Sequence, residues 1–387
     1  MVAAMDFGTS KIVALVAETS GRQRCDIIGA GIATYDGFME GQWNAPHLLN
    51  DAISKAVHEA EEQSHNRIRE IHVGVPGEFS TVKTVEVKVE LQGADPRVSE
   101  RDINALFEKA SRELGEVRGS VIHRSPAWFI VDDGKKTLEP MGIHGYELRA
   151  MVSFVIADQF FLEDVSERFR SLGITVNGFF STPTGQAMLF VPDEERDRTA
   201  ILVDMGYLNT EVMAVEGDAI TYMKTIPMGG GHIAADMTYG LNVTLDSAEQ
   251  IKRGYVYGLA TGTGSFEGQD KEGNAKTFTR EDVEKVLEPR AEEICEAVRD
   301  AVKESGVKLS NWSPVYLTGG AMAINRGGKD FLSAKLGKPV RELPRKAVKL
   351  SSPAYSSALG LLDLIIDTAT SAPQGGMGSF FRSLFGG

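Results

Sequence analysis

The sequence predicts an α/β protein in which two similar lobes face one cleft. Three observations carry that expectation. The stretch "MDFGTSKIVALV" (Met5–Val16) puts an Asp-x-Gly-Thr-Ser turn between two apolar runs, and "VDMGYLNTEVMAV" (Val203–Val215) repeats the layout about 200 residues later. Each turn is followed by a third strand-like run and then by a helical pattern. Further on, "VYLTGGAMAI" (Val315–Ile324) reads as a strand, a Gly-Gly junction and a helix.

The elements follow in order. Short apolar runs at Val2–Met5, Ile12–Ala17 and Ile27–Ala33 predict three strands, Leu48–Gln63 a helix and Glu70–Val75 a fourth strand. From Thr84 to about Ser166, the alternating "VEVKVEL", the helical "SERDINALFEKASREL" and two more strand-like runs predict a small α+β insert. The second half repeats the first, with strands at Ala200–Asp204, Thr210–Val215 and Ile220–Thr225 and a helix entered through "GGGHIAADMTYGL". Residues Leu245–Asn311 read as mostly helical with a polar, Gly-rich gap at Gly262–Lys276. "LGLLDLIIDTA" (Leu359–Ala369) is shorter than the roughly 20 apolar residues of a membrane span and holds two aspartates, so it reads as a core helix.

Composition narrows the function classes. A formal net charge of −13 disfavours a nucleic-acid binder, which would show a basic patch. Two cysteines, Cys25 and Cys295, argue against a disulfide framework and a cysteine metal site, and fit a reducing cytosol. The N-terminus has neither a basic nor an apolar leader region, so no signal peptide is expected.

The turns point to phosphate chemistry. Small residues expose successive backbone N–H groups that cradle phosphate oxygens, and hydroxyls or a lysine add donors. In the first turn these are Gly8, Thr9, Ser10 and Lys11; in the second, Gly206, Asn209 and Thr210, followed by Gly229 and Gly230 at the next helix. Asp6 and Asp204 are candidates to hold Mg²⁺ through water. Gly319, Gly320 and Ala321 would let a ring or ribose lie against the backbone. Each signal alone is also that of a plain turn; their order and repetition point to a triphosphate clamp.

In that order, the three motifs resemble the phosphate-1, phosphate-2 and adenosine motifs of the actin/Hsp70/sugar-kinase superfamily. The gap between third strand and first helix, about 14 residues from Thr34 to His47, has no room for the subdomain that actin carries there; the insert follows "EIHVGVPG" instead. That placement, with "AWFIVDDGKKTLEPMGIHGYELRAMV" and "KTIPMGGGHIAADMTYGLNVTLDSAEQIKRGYVYG", resembles the FtsA family of bacterial cell-division actin homologues over nearly the whole chain.

The resemblance implies an actin-like (ribonuclease H-like) two-lobed α/β fold. Residues 1–83, 167–198 and 346–369 would form the first lobe core and 84–166 the inserted subdomain. Residues 199–244 and 312–345 would form the second lobe core, 245–311 a helical subdomain, 370–378 a linker and 379–387 an amphipathic tail. It also implies ATP and Mg²⁺ as cofactors, with Glu249 and Lys252 approaching the nucleoside; the plainer reading of that pair is a solvated helical ion pair. Implied partners are the FtsZ C-terminal peptide, further copies of the chain, other division proteins and the inner face of the cytoplasmic membrane.

One loop departs from the family pattern Asp-Ile-Gly-Gly-Gly-Thr-Thr-Asp. Here Tyr207 and Leu208 replace glycines and Glu211 replaces the last aspartate, so ATP binding is expected to persist with reduced affinity and hydrolysis. Catalytic residues are not assigned, and the chain is expected to be a weak ATPase at most.

In the tail, Phe380, Phe381, Leu384 and Phe385 fall on one face of a short helix. That face would lie in a membrane interface, fold back on the body or remain unstructured. Two other functions are open. A pilus-assembly adaptor of the same fold would not need the Phe-rich tail, and a small-molecule kinase would need a carboxylate over the acceptor hydroxyl, for which no motif is seen.

Overall fold

The computed structural model describes residues 1–20, 24–258, 264–307, 309–310, 313–344 and 350–370. The first lobe opens with β1 (Val2–Phe7), β2 (Lys11–Ser20) and β3 (Arg24–Thr34), an antiparallel meander. A small ribbon, β4 (Phe38–Met39) and β5 (Gln42–Trp43), leads to α1 (Leu49–Ser64) and β6 (Glu70–Val75). Helix α1 buries Leu49, Ala52, Ile53, Ala56, Val57 and Ala60, the i, i+3/i+4 stripe of an amphipathic helix. Gly31 lets it lie directly on the sheet: a Cβ there would come within 2.8 Å of the Ala56 carbonyl carbon.

After a 3₁₀ turn at Gly77–Phe79 comes the insert, β7 (Ser80–Glu90), α2 (Glu100–Leu114), β8 (Ser120–Val131) and β9 (Glu147–Ala157), an antiparallel sheet in the order β7-β9-β8. The lobe closes with α3 (Gln159–Ser171), β10 (Thr175–Ser181), α4 (Thr182–Phe190) and α5 (Asp193–Arg196). The structure moves both expected insert boundaries. The insert sheet starts at Ser80, before residue 84. Residues up to 166 do not all belong to it, because α3 puts Phe161, Val165 and Phe169 into the first-lobe core with Phe7, Trp43 and Phe79.

The second lobe repeats the first. It has β11 (Ala200–Met205), β12 (Thr210–Glu216), β13 (Ala219–Ile226), α6 (Gly230–Gly240), α7 (Leu245–Gly254), β14 (Ser265–Gln269), β15 (Ala275–Thr279) and α8 (Arg280–Glu304). Then come β16 (Val315–Thr318), α9 (Gly328–Leu336), β17 (Val340–Glu342) and finally α10 (Ser356–Thr370). Its sheet runs β13-β12-β11-β16-β17, the counterpart of β3-β2-β1-β6-β10, with two antiparallel and two parallel pairings in each. This 3-2-1-4-5 order in both lobes is the physical form of the repeated turn, and the fold is an actin-like α/β fold with an α+β insert.

Two expectations fail in the second lobe. The polar, Gly-rich gap expected at 262–276 in a mostly helical segment holds strand residues, since β14 and β15 pair as a hairpin. Gly319–Gly320 do not lead straight into a helix; a 3₁₀ turn at Met322–Ile324 intervenes before α9. Helix α8 starts where Thr279 caps it, its hydroxyl accepting from Asp282 N at 3.2 Å while the Asp282 carboxylate accepts from Thr279 N.

The insert also touches the second lobe. Ser153 Oγ donates to Ile220 O at 2.5 Å, Asp218 N donates to Pro126 O at 3.2 Å, and Trp128 packs with Ala127 and Ala219. The insert sheet is therefore tied to both lobes. The expected linker does not start at residue 370, since Thr370 ends α10; residues 371–378 and the tail with Phe380, Phe381, Leu384 and Phe385 lie outside the described residues. Among the described residues, no helix is long and apolar enough to cross a membrane.

Candidate functional site

The β1–β2 and β11–β12 turns meet across a cavity of about 750 Å³, a size suited to a small-molecule ligand. Topology places them there, because each lobe presents the end of its first strand at the same side of its sheet. Asp6, Gly8, Thr9, Ser10 and Lys11 from the first turn line it, as do Asp204, Gly206 and Asn209 from the second, together with Glu249, Gly319 and Gly320.

The chemistry centres on three carboxylates and one lysine. Asp6 is buried and accepts from Ser357 Oγ at 2.7 Å. Burial pushes its pKa up to about 6, with Asp204 adding to the rise and the Ser357 bond and Lys11 opposing it. Asp204 accepts from Gln186 Nε2 at 2.6 Å and is also raised, by burial above all. Glu211, at the start of β12, is pushed up to about 8 by burial and by the charge of Asp204, against a bond from the Gly77 backbone. Lys11 answers Asp6 and Asp204; burial lowers its pKa while the two carboxylates hold it up, and its Nζ stands 4.0 Å from the Tyr355 ring centre.

Such a group of desolvated acids around one half-buried lysine is short of positive charge, and a divalent cation would relieve it. Among the described residues no three His, Cys, Asp or Glu side chains are placed to hold a metal directly.

Several expected residues do not face the cavity. Thr210 is buried and its hydroxyl donates to Met228 O at 2.7 Å. Gly230 N donates to Gly206 O at 2.9 Å and Gly229 N to His232 Nδ1 at 3.1 Å, so these amides serve the turn itself and not a ligand. Ala321 N donates to Met205 O, closing the junction with β11. Lys252 is buried, donating to Gly230 O at 2.7 Å and Glu249 Oε1 at 2.6 Å; it braces Glu249 and does not reach the cavity. The next residue, Arg253, lines the cavity in its place, 3.5 Å from Glu249 Oε2.

The cavity residues that the sequence reading leaves unassigned include Gln186, Tyr355, Ser357 and Arg253. The first three come from α4, the turn before α10, and α10, where no glycine turn marks them. Arg253 was findable, since it follows Lys252 directly, but the spacing on α7 does not tell which of the two faces inward.

Two family models match the chain: "Cell division protein FtsA" over residues 201–360 and "SHS2 domain inserted in FTSA" over residues 77–156. The chain is 25% identical to cell division protein FtsA of Pseudomonas aeruginosa over 371 residues, covering 94% of this chain and 88% of that protein. It is 24% identical to FtsA of Bacillus subtilis, covering 92% and 82%. Among solved structures, a PilM–PilN type IV pilus biogenesis complex aligns with a TM-score of 0.62 at 18% identity, covering 94% of this chain and 98% of that one. MreB5 of Spiroplasma citri bound to AMPPNP aligns with a TM-score of 0.50 at 13% identity, covering 95% and 96%. The structural likenesses establish the actin-like fold, and the two family models fall on the insert and on the second lobe with its return to α10. Together with relatives that match nearly end to end, they place this chain in the FtsA family of cell division proteins.

Proposed function

We propose that the chain binds ATP with Mg²⁺ in this cleft, self-associates, and tethers the FtsZ division ring to the inner face of the cytoplasmic membrane through its C-terminal tail. The observation that carries the nucleotide part is the pair of glycine turns facing each other with Lys11 between Asp6 and Asp204. When bound, Mg²⁺ would supply charge neutralisation at the phosphates. Asp6 and Asp204 would hold its waters, Gly8 to Lys11 would contact phosphate oxygens, and Glu249, Gly319 and Gly320 would face the nucleoside. Family membership supports the division role.

The tail part rests on Phe380, Phe381, Leu384 and Phe385. Each large apolar side chain contributes roughly 1.5–3 kcal/mol if fully buried, less the cost of ordering the segment. One tail is therefore a weak anchor, and an assembly presenting many tails binds by avidity.

Liposome co-sedimentation of the full chain beside a chain ending at Gly378, each with and without ATP, tests this. The full chain alone is expected to pellet, and more so with ATP. Equal behaviour of the two chains would remove the tether and favour a pilus-adaptor type of peptide docking. A separate measurement addresses the cleft. Lys11→Met is expected to weaken Mg²⁺-ATP binding by calorimetry roughly 10- to 100-fold, the worth of a charge-assisted contact of about 1.5–3 kcal/mol. Unchanged affinity would place the nucleotide elsewhere.

A further inference from the structure

Strand β7 lies at the edge of the insert sheet. Among the described residues it pairs with β9 alone, in one unbroken register from Ser80↔Ala157 to Glu90↔Glu147. The two ends of this ladder fix which backbone groups are spent on it. Leu91 N donates to Tyr146 O at 2.8 Å, and Phe79 O accepts from Asp158 N at 2.8 Å. Hydrogen-bonded positions alternate along an antiparallel pair. The odd-numbered residues of β7 therefore bond to β9, and Thr84, Glu86, Lys88 and Glu90 turn their N–H and C=O groups to the open side. In agreement, Lys88 O is met there by a side chain, Lys109 Nζ at 2.9 Å.

The side chains alternate too. Val85, Val87 and Val89 pack with Leu106 and Phe107 of α2. Thr84, Glu86, Lys88 and Glu90 stand exposed on the other face. Val82, on that same face, packs against the cluster of Met213 and Val215, so the second lobe covers the strand before Thr84.

A straight edge with open backbone groups is a template for another strand, and the charges of this one select which. A second β7, antiparallel about a two-fold axis at Val87, places each Glu86 opposite the other copy's Lys88 and each Thr84 opposite Glu90. Both members of each such pair carry outward backbone groups, as a ladder requires. On the α2 side the same register sets Val85 against Val89 and Val87 against Val87. A slip of two residues, the smallest that keeps the backbone groups matched, brings Glu86 against Glu86 or Lys88 against Lys88. Lys88 is free to change partner, since its ion pair with Glu147 is exposed and such pairs hold weakly.

We propose that two copies of this chain join through Thr84–Glu90 of β7, merging their three-stranded insert sheets into one. The proposal rests on the self-association put forward above and gives it a surface. A two-fold contact closes on itself, so this one makes pairs of chains and does not by itself extend a filament.

Sedimentation velocity over a concentration series tests it, on the full chain, Glu86→Lys, Lys88→Glu and an equimolar mixture of the two variants. Glu86→Lys sets lysine against lysine at both charged pairs, and Lys88→Glu sets glutamate against glutamate. Each variant alone is expected to self-associate at least about tenfold more weakly than the unaltered chain. In the mixture the lysines of one variant face the glutamates of the other, and association is expected to return. Damage to the fold could weaken each variant, but mixing would not repair it. Unchanged association of both single variants overturns the proposal, leaves self-association to another surface and leaves this edge to some other partner's strand. Weakening that the mixture does not restore also overturns it. An unaltered chain that stays monomeric at every concentration, with and without Mg²⁺-ATP, overturns both this proposal and the self-association reading.

Discussion

Gly360→Val is expected to abolish cooperative folding of the first lobe, with a cost above about 3 kcal/mol. Helices α4 and α10 cross at Gly185 and Gly360. A Cβ on Gly360 would come within 2.6 Å of the Gly185 carbonyl carbon, and a Cβ on Gly185 would come within 2.9 Å of Leu361 N. The atoms met are backbone on both sides, so no side chain can swing away to make room. Helix α10 also carries Leu361, Leu362 and Ile365 into a core shared with Ala4, Val13, Leu15 and Ala17 of the first sheet. Pushing the helices apart uncovers that core. The same shift moves Ser356, which accepts from Gln186 Nε2 at 2.8 Å, and Ser357, which donates to Asp6. Thermal unfolding and limited proteolysis give the readout. Ser357→Ala is the control: it removes the bond to Asp6 without touching the crossing, and is expected to cost about 1 kcal/mol. Unfolding of Gly360→Val at the temperature of the unaltered chain would show that the crossing is looser than described.

That crossing shows where the sequence was readable and where it was not. The two turns were legible because a hairpin between apolar strands is a local event: Asp6 to Lys11 and Asp204 to Asn209 carry it within a few residues. The insert was legible as a composition of alternating and helical runs, but its edges were not. The strand that becomes β7 continues without a break from the turn at Gly77–Phe79, and α3 looks like any amphipathic helix until its partners Phe7 and Trp43 are known. The β14–β15 hairpin was hidden because five-residue strands with exposed alternate positions resemble a polar loop. In the cavity, Gln186 and Ser357 arrive from elements far apart in the chain, and only the α4–α10 crossing brings them to Asp204 and Asp6. Lys252 was misplaced for a related reason. A basic residue three positions after Glu249 pairs with it on either reading, and it is packing against Gly230 that turns Lys252 away from the cavity.

Glu211→Gln is expected to stabilise the chain at alkaline pH and to leave it unchanged in acid. The carboxyl of Glu211 lies against Gly77, so closely that a Cβ there would meet Glu211 Cδ at 2.5 Å, and faces the charges of Asp204, Glu78 and Asp6. Its pKa of about 8 stands well above the ordinary value of 4.5. Below pH 4.5 the group is protonated in both folded and unfolded chains and contributes no difference. Between the two values the folded chain keeps a proton that the unfolded chain has lost, so stability falls as pH rises; above about 8 the whole penalty is present. Solvent access and coupling to Asp204 reduce that penalty to roughly 2–4 kcal/mol. Glutamine has the same shape and still accepts from the Gly77 backbone, but carries no charge. The melting temperature of Glu211→Gln is therefore expected to exceed that of the unaltered chain by at least about 4 °C at pH 8.5, with the two converging near pH 4. The same ionisation adds a negative charge beside the proposed phosphate site. Mg²⁺-ATP affinity is expected to drop about tenfold between pH 7 and 9 in the unaltered chain, about 1.4 kcal/mol, and to stay flat in Glu211→Gln. A melting difference that does not change with pH would mean that Glu211 is ionised throughout, and that the crowding of Asp6, Asp204 and Glu211 is relieved by solvent rather than by a retained proton.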